Sequence, residues 1–222
     1  MTHDHLLEVP FADRDAAGDA LAHVLAEHPE LTSDDPVVVA LPRGGVPVAA
    51  RIARAIDAPL DVIIVRKLGV PGHEELAFGA LASGGARVMN DDVVRALQIT
   101  PAVIERVAKD EVLELQRREQ AYRGARPPIE VRNRQVILID DGVATGATMR
   151  AAVAALRTLD PARIIVAIPT GSPEACALLR AEADELCCLL APPEFFAVGT
   201  WYESFPQNTD AEVRSLLAAN PS

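Results

Sequence analysis

Five short apolar runs, spaced along the 222 residues, constrain the fold of this chain more than any other feature. Each run is rich in aliphatic residues and lacks the alternation of apolar and polar residues that marks a strand with one face in water. Such runs are typical of parallel strands buried on both faces. The predicted strands are residues 37–41, 60–65, 136–139, 164–168 and 185–190.

Stretches rich in Ala and Leu lie between these runs and begin with small or polar residues. They predict helices at residues 47–56, 147–159 and 173–183, and a further helix at 13–28 precedes the first strand. Strands that alternate with helices indicate a doubly wound α/β fold with a mainly parallel five-stranded sheet. Because α/β folds of this length are commonly one unit, we expect a single domain over residues 1–222.

Two segments interrupt this rhythm. Residues 68–125 are predicted to be an insertion that contains a β-hairpin with its turn at 83–85 and a charged helix at 101–122, which could contribute to a homodimer contact. Residues 192–222 are predicted to form a C-terminal hood and tail. The hood holds five of the eight aromatic residues, and such a cluster either caps the core or stacks on a flat ligand.

The composition limits the partners of the protein. A formal net charge of -11 disfavours nucleic acid, whose binders usually present a basic face. No run approaches the roughly 18 apolar residues of a membrane span, so we expect no membrane partner and a cytoplasmic location. An acidic protein that binds an anionic small molecule must gather positive charge locally, and Arg43-Gly44-Gly45 and Arg66-Lys67 are the candidates.

The stretch "VILIDDGVATGAT", residues 136–148, carries the clearest chemistry. Asp140 and Asp141 follow the third predicted strand, at the edge where open α/β sheets bind their ligands. Residues 145–148 would begin the next helix, whose free amides and positive dipole end suit a phosphate. Because the carboxylates repel a phosphate, they are expected to face sugar hydroxyls or a hydrated metal. A Walker B strand is disfavoured, since the chain has no Gly-Lys pair; a chance turn and helix cap stays open.

This stretch resembles the 13-residue phosphoribosyl pyrophosphate (PRPP) motif of the type I phosphoribosyltransferases, with Gly142 where the family usually has an aliphatic residue. The resemblance implies Mg²⁺ as cofactor, held by Asp140 and Asp141 through water. It also implies a set of PRPP-binding residues: Asp140, Asp141, Val143, Ala144, Thr145, Gly146, Ala147 and Thr148.

The stretch "ALPRGGVPVA" is similar to the pyrophosphate loop of that family, which implies pyrophosphate binding by Arg43, Gly44 and Gly45 and a non-proline cis peptide beside Arg43. With a sheet order of 2-1-3-4-5, this loop and the Asp140 loop flank the switch point and meet. By the same resemblance Arg66 and Lys67 lie beside the pyrophosphate, although residues at a strand end are also often merely solvated. The segment after Lys67, "GVPGHEELAFGAL", corresponds to a mobile loop in relatives, with His73, Glu74 and Glu75 as further candidates.

The implied reaction is the transfer of a 5-phosphoribosyl group from PRPP to a nitrogen of an aromatic heterocycle, with release of pyrophosphate. The implied catalytic residues are Arg43, Lys67, Asp140 and Asp141, and the implied acceptor-binding residues are Phe196, Trp201 and Tyr202. Relatives that act on hypoxanthine and guanine carry an acid where this chain has Ala144, which disfavours a 6-oxopurine. A non-catalytic PRPP-binding sensor is the alternative.

Overall fold

A computed structural model describes residues 9–32 and 35–220, without the side chains of Glu74 and Glu75. The helices are α1 (Arg14–Glu27), α2 (Gly45–Ala55), α3 (Asp91–Ala96), α4 (Pro101–Arg123), α5 (Ala147–Arg157), α6 (Pro173–Glu182) and α7 (Asp210–Ala219). The strands are β1 (Pro36–Ala40), β2 (Leu60–Val62), β3 (Val65–Val70), β4 (His73–Ala82), β5 (Arg87–Met89), β6 (Gln135–Ile139), β7 (Arg163–Thr170) and β8 (Glu185–Leu190).

The main sheet is parallel and has the order β2-β1-β6-β7-β8. Counted along this sheet alone, that is the predicted order 2-1-3-4-5, so the predicted fold class is confirmed. The register pairs Ala40 of β1 with Ile139 of β6, the last residue of each strand. The loops that follow these two strands therefore leave the sheet side by side.

Burial on both faces explains the unbroken apolar runs. Along β6, Ile137 and Ile139 face a core shared with α1, α2 and α7, whereas Val136 and Leu138 face a core shared with α5 and α6. All four are fully buried. Every position of such a strand is in contact with apolar neighbours, which removes the alternation that a strand with one wet face would show.

The second predicted strand was wrong at its end. It was expected to run over residues 60–65, but β2 stops at Val62, and Val65 already begins β3 in a separate antiparallel sheet of order β3-β4-β5. The change of sheet is fixed by hydrogen bonds, since the Ile63 amide donates to the Ala40 carbonyl and the Ile64 amide to the Ser83 hydroxyl. Residues 62–65 are all apolar, so the sequence alone gives no sign of the turn between β2 and β3.

The antiparallel sheet occupies the predicted insertion. β4 and β5 form the predicted hairpin, with a 3-10 turn at Ser83–Gly85 in which Gly84 and Gly85 have φ near 80°, a conformation that favours glycine. The segment in which a mobile loop was expected forms β3 and β4, and His73 lies at the exposed start of β4. Helix α4 packs against this sheet.

The C-terminal segment returns across the edge of the main sheet where β1 and β6 end. The Phe11 amide donates to the Trp201 carbonyl and the Glu203 amide to the Phe11 carbonyl, which ties the segment to the start of α1. A capping box between Thr209 and Glu212 then begins α7, which packs on α2 and α4. Among the described residues, no helix is long and apolar enough to cross a membrane.

Candidate active site

Two adjacent carboxylates follow the central strand β6. The Asp140 Oδ1 atom accepts a hydrogen bond of 2.9 Å from the Asp141 amide, so the Asp140 side chain is held by the turn that follows the strand. The Asp141 side chain keeps 13% of its surface exposed and accepts a 2.8 Å bond from Arg14 Nε. Both acids therefore lie at the carboxyl edge of the sheet, as the sequence predicts. Asp141 has a cationic partner, Arg14.

The pKa values of both acids are raised. Burial is the main cause that raises the pKa of Asp140 well above its ordinary value, and the charge of the neighbouring Asp141 raises it further. Burial also raises the pKa of Asp141, but the hydrogen bond and the charge of Arg14 oppose this effect. Arg14 therefore favours the charged form of Asp141, the acid that it contacts.

The loop after β1 packs directly on these acids. A Cβ atom added at Gly44 would lie 2.0 Å from Asp141 Oδ2, and one added at Gly45 would lie 2.8 Å from the Ile139 carbonyl oxygen. Glycine at both positions is thus required by close approach. The peptide bond between Pro42 and Arg43 is cis, as the resemblance implied.

The first turn of α5 lies beside the acids. Gly146, with φ of 77°, is its N-cap and provides no side-chain cap, so the first amides of the helix have no partner within it. The surrounding loop is open to solvent: Ala144, Thr145, Ala147 and Thr148 are exposed. The Ala147 amide donates a long hydrogen bond of 3.4 Å to the Thr145 hydroxyl oxygen. A helix N-terminus of this kind, at the positive end of the helix dipole, suits a phosphate or another anion.

One cavity joins the two loops. It has a volume of about 300 Å³ and is lined by Arg14, Arg43, Gly44, Asp141, Phe205, Gln207 and Asn208. Its wall combines two guanidinium groups, one carboxylate and part of the C-terminal segment. A cavity of this composition can hold a polyanionic group against the arginines while hydroxyl groups meet the carboxylate.

The profile of the phosphoribosyl transferase domain matches residues 12–201, which is most of the chain. The chain belongs to the phosphoribosyl transferase domain family. A curated relative from Mycobacterium tuberculosis (strain H37Rv), Rv0571c, provisionally named a phosphoribosyl transferase, is 45% identical over 207 residues; these cover 93% of this chain and 46% of the relative. The chain thus spans about half the length of the curated relatives that it matches.

Two solved structures share the fold of this chain. The crystal structure of TT1426 from Thermus thermophilus is 42% identical and superimposes with a TM-score of 0.86, covering 96% of this chain and 99% of that one. A hypothetical protein from Neisseria gonorrhoeae, solved with bound ppGpp, is 15% identical with a TM-score of 0.51 over 99% of this chain and 94% of that one. The second likeness shows the shared fold alone.

Arg14 is the site residue that the sequence did not reveal. Its Nη1 atom donates a 2.7 Å bond to the Pro206 carbonyl, and its guanidinium carbon lies 3.8 Å from the centre of the Phe205 ring. Asp141, the carboxylate that it binds, is 127 positions away in the chain. A signal was available, because a basic residue in the first turn of a helix opposes the helix dipole.

The aromatic hood is only partly at the site. The Tyr202 hydroxyl donates a 2.5 Å bond to the Asp141 carbonyl, and its ring stacks on Phe205 at 4.8 Å between centroids. Phe196, also predicted to bind the acceptor, has 85% of its surface exposed. Trp201 precedes Tyr202, and its buried Nε1 atom has no hydrogen-bond partner among the described residues.

The hood also accounts for the unusual Gly142. A Cβ atom at this position would lie 2.5 Å from Val198 Cγ1 and 3.1 Å from Thr170 Cγ2. The position that is usually aliphatic in the family is therefore filled here by side chains from the hood and from the end of β7. The departure from the family pattern reflects packing against this hood.

The predicted basic pair lies elsewhere. Arg66 and Lys67 were expected at the end of the second parallel strand, but they lie on β3, because β2 ends at Val62. Arg66 Nε donates a 2.6 Å bond to Glu111 of α4. Lys67 lines a different cleft of about 590 Å³ between the antiparallel sheet and α5. Neither residue lines the cavity of Arg43 and Asp141.

The acids fit a metal that arrives with its substrate. Among the described residues, no group of three or more His, Cys, Asp or Glu side chains is placed to hold a metal ion. Mg²⁺ is commonly held by one or two carboxylates together with substrate phosphates. Asp140 and Asp141 supply those carboxylates, so they suit a magnesium ion shared with a phosphorylated ligand rather than a closed protein cage.

Proposed function

We propose that the protein transfers the 5-phosphoribosyl group of PRPP to a ring nitrogen of an aromatic heterocycle, with a nucleobase as the favoured class of acceptor and pyrophosphate as the second product. The observation that carries this proposal is the cavity in which the Arg43 loop, Asp141 and the hood meet. Membership of the family supports the general reaction, and the geometry supports a division of the substrate among these parts.

Each part of PRPP has a matching group. The 5-phosphate takes the loop from Val143 to Thr148, where the amides of Ala147 and Thr148 and the hydroxyls of the two threonines donate. The ribose hydroxyls bind Asp140 and Asp141. The pyrophosphate lies against Arg43, Gly44 and Gly45. Lys67 lines a cleft that Ala147 of the phosphate loop also lines.

The chemistry needs charge in two places. As the glycosidic bond breaks, the leaving pyrophosphate gains negative charge, which the Arg43 guanidinium stabilises. The sugar gains positive charge at its anomeric carbon, and the carboxylate of Asp141 lies on the side of the ribose hydroxyls to offset it. Mg²⁺, held through water by Asp140 and Asp141, supplies further positive charge to the phosphates when it is bound.

The hood completes the site. Tyr202 is anchored by its hydroxyl to the Asp141 carbonyl, and burial raises the pKa of this tyrosine, so the hydroxyl stays protonated and donating. Phe11 and Phe205 pack against its ring. This arrangement covers the edge of the ribose site with apolar surface, which limits access of water that would hydrolyse the activated sugar.

Release of pyrophosphate tests the proposal. Purified protein is incubated with Mg²⁺, PRPP and single members of a panel of nucleobases and related heterocycles, and pyrophosphate is measured with time. We expect release that depends on one acceptor or on a small group of them. Tight binding of PRPP without release for any acceptor would instead identify a PRPP sensor.

A double substitution tests the site itself. Asp140→Asn with Asp141→Asn keeps the shape of the side chains and removes their charge, so calorimetry with Mg²⁺ should show loss of PRPP binding while circular dichroism is unchanged. Asp160→Asn, which changes an exposed acid that does not line the cavity, is the matched control. Retained affinity in the double variant would contradict the assignment of these acids.

A further inference from the structure

We propose that Arg14 is the second cation of the pyrophosphate site: it rests on Asp141 in the free protein and donates its remaining N–H groups to a phosphate of the ligand. The inference rests on the proposed function, which it deepens by adding a residue from the N-terminal helix. The sequence motifs contain no such residue.

The composition of the cavity is the first reason. Arg14 and Arg43 both line it, whereas Arg66 is bound to Glu111 and Lys67 lines another cleft. A protein of net charge -11 must concentrate positive charge where it binds a pyrophosphate. Arg43 supplies one cation from its loop. Arg14 is the other arginine on the cavity wall.

The second reason is that both arginines rest on carboxylates of the protein. Arg14 Nε is 2.8 Å from Asp141 Oδ2, and Arg43 Nη1 is 3.4 Å from Asp210 Oδ1. The side chains of Arg14 and Asp141 keep only 10% and 13% of their surfaces exposed. Sugar hydroxyls that donate to Asp141 compete with Arg14 for its oxygens, and a phosphate of the same ligand can accept the hydrogen bonds that Arg14 frees.

The third reason is the way in which Arg14 is held. The Pro206 carbonyl and the Phe205 ring fix the guanidinium independently of Asp141. A guanidinium has five N–H donors, and the two hydrogen bonds use only Nε and Nη1. The side chain can therefore change its anionic partner without losing its position, and it retains donors for two phosphate oxygens.

Binding of the two halves of PRPP separates this role from a structural one. Calorimetry is carried out with Mg·pyrophosphate and, separately, with ribose 5-phosphate, for the wild type and Arg14→Gln. We expect Arg14→Gln to weaken pyrophosphate binding roughly 10- to 100-fold, the usual effect of losing a charged hydrogen bond. Ribose 5-phosphate should bind as tightly as before or more tightly, because Asp141 is released.

Arg51→Gln is the matched control. Arg51 also forms an ion pair with an acid of α1, through bonds of 2.6 and 2.8 Å to Asp19, but it does not line the cavity. It should change neither affinity. Arg14→Lys keeps the positive charge but lacks the paired donors of the planar guanidinium, so it should bind pyrophosphate with intermediate affinity. It replaces Arg14→Gln in the comparison if the glutamine variant does not fold.

The inference is overturned if Arg14 variants bind pyrophosphate like the wild type, or if they lose both ligands equally, as a purely structural role would require. Its failure is distinct from failure of the proposed function. Pyrophosphate binding needs no acceptor and no turnover, so a protein that releases no pyrophosphate from PRPP would still give a clear result here.

Discussion

Substituting Gly44 by Ala tests the contact that joins the two loops of the site. Gly44 has φ of -63° and ψ of -36°, which any residue adopts, so the substitution carries no conformational penalty of its own. The three nearest atoms to the added Cβ all belong to the Asp141 side chain, the closest at 2.0 Å. An ordinary contact begins at 3.4 Å, so the carboxylate must move by roughly 1.4 Å.

Such a shift lengthens the 2.8 Å bond from Arg14 to about 4 Å, which is no longer a hydrogen bond. Disrupting a buried ion pair costs about 3–5 kcal/mol, and replacing Gly by Ala in a helical conformation returns up to about 1 kcal/mol. We therefore expect Gly44→Ala to lower the free energy of unfolding by about 2–4 kcal/mol. For a chain of this length, that is a fall in Tm of roughly 4–16 °C.

Urea unfolding of a double-mutant cycle isolates the cause. In an Asp141→Ala background the clashing atoms are gone, so Gly44→Ala should be neutral or stabilising by up to about 1 kcal/mol. The single variant should also lose PRPP binding, whereas its far-ultraviolet circular dichroism should be retained. An equal cost of Gly44→Ala in both backgrounds would show that the loop does not rest on Asp141 and would refute this account of the glycine.

Three further predictions concern stability. The pKa of Asp140 is higher in the folded protein than in the unfolded chain, so ionisation of this acid lowers the stability of the fold as pH rises above about 3.9. Asp140→Asn should therefore unfold at a higher urea concentration than the wild type at pH 7. The difference should vanish near pH 4. Equal midpoints at pH 7 would contradict it. Arg123→Met leaves Asp61 buried without its cation and should cost about 3–5 kcal/mol in urea unfolding, against less than about 1 kcal/mol for Arg132→Met at an exposed pair. Thr209→Ala removes the hydroxyl that caps the Glu212 amide at the start of α7 and should cost about 1 kcal/mol in urea unfolding. An unchanged free energy of unfolding would argue against the cap.

The parallel sheet was predictable because burial on both faces leaves a local mark. Val136 to Ile139 are apolar without exception, as a central strand between two helical layers requires. The acids after this strand and the glycines after β1 were predictable for the same reason, since each motif is contiguous in the chain. The contact between them follows once the order of the strands is known.

The contacts that complete the site leave no such mark. Arg14 meets Asp141 across 127 positions and Tyr202 meets it across 61, so no spacing along the chain could relate them. The strand assigned to Arg66 was wrong for a different reason. The residues from Leu60 to Val65 are nearly all apolar, and only the hydrogen bonds of Ile63 and Ile64 show that the chain changes sheets within that run.

The charges of the site explain how an acidic protein can hold an acidic ligand. Asp141 is paired with Arg14 and Arg43 with Asp210, so the two arginines and the two acids offset each other's charge. Burial of Arg14 and Asp141 is tolerated because each is the partner of the other. A ligand that offers hydroxyls to Asp141 and phosphates to the arginines replaces both kinds of partner at once. Pyrophosphate alone has no sugar hydroxyls for Asp141, and ribose 5-phosphate has no pyrophosphate for the arginines, which favours an intact sugar pyrophosphate over either fragment.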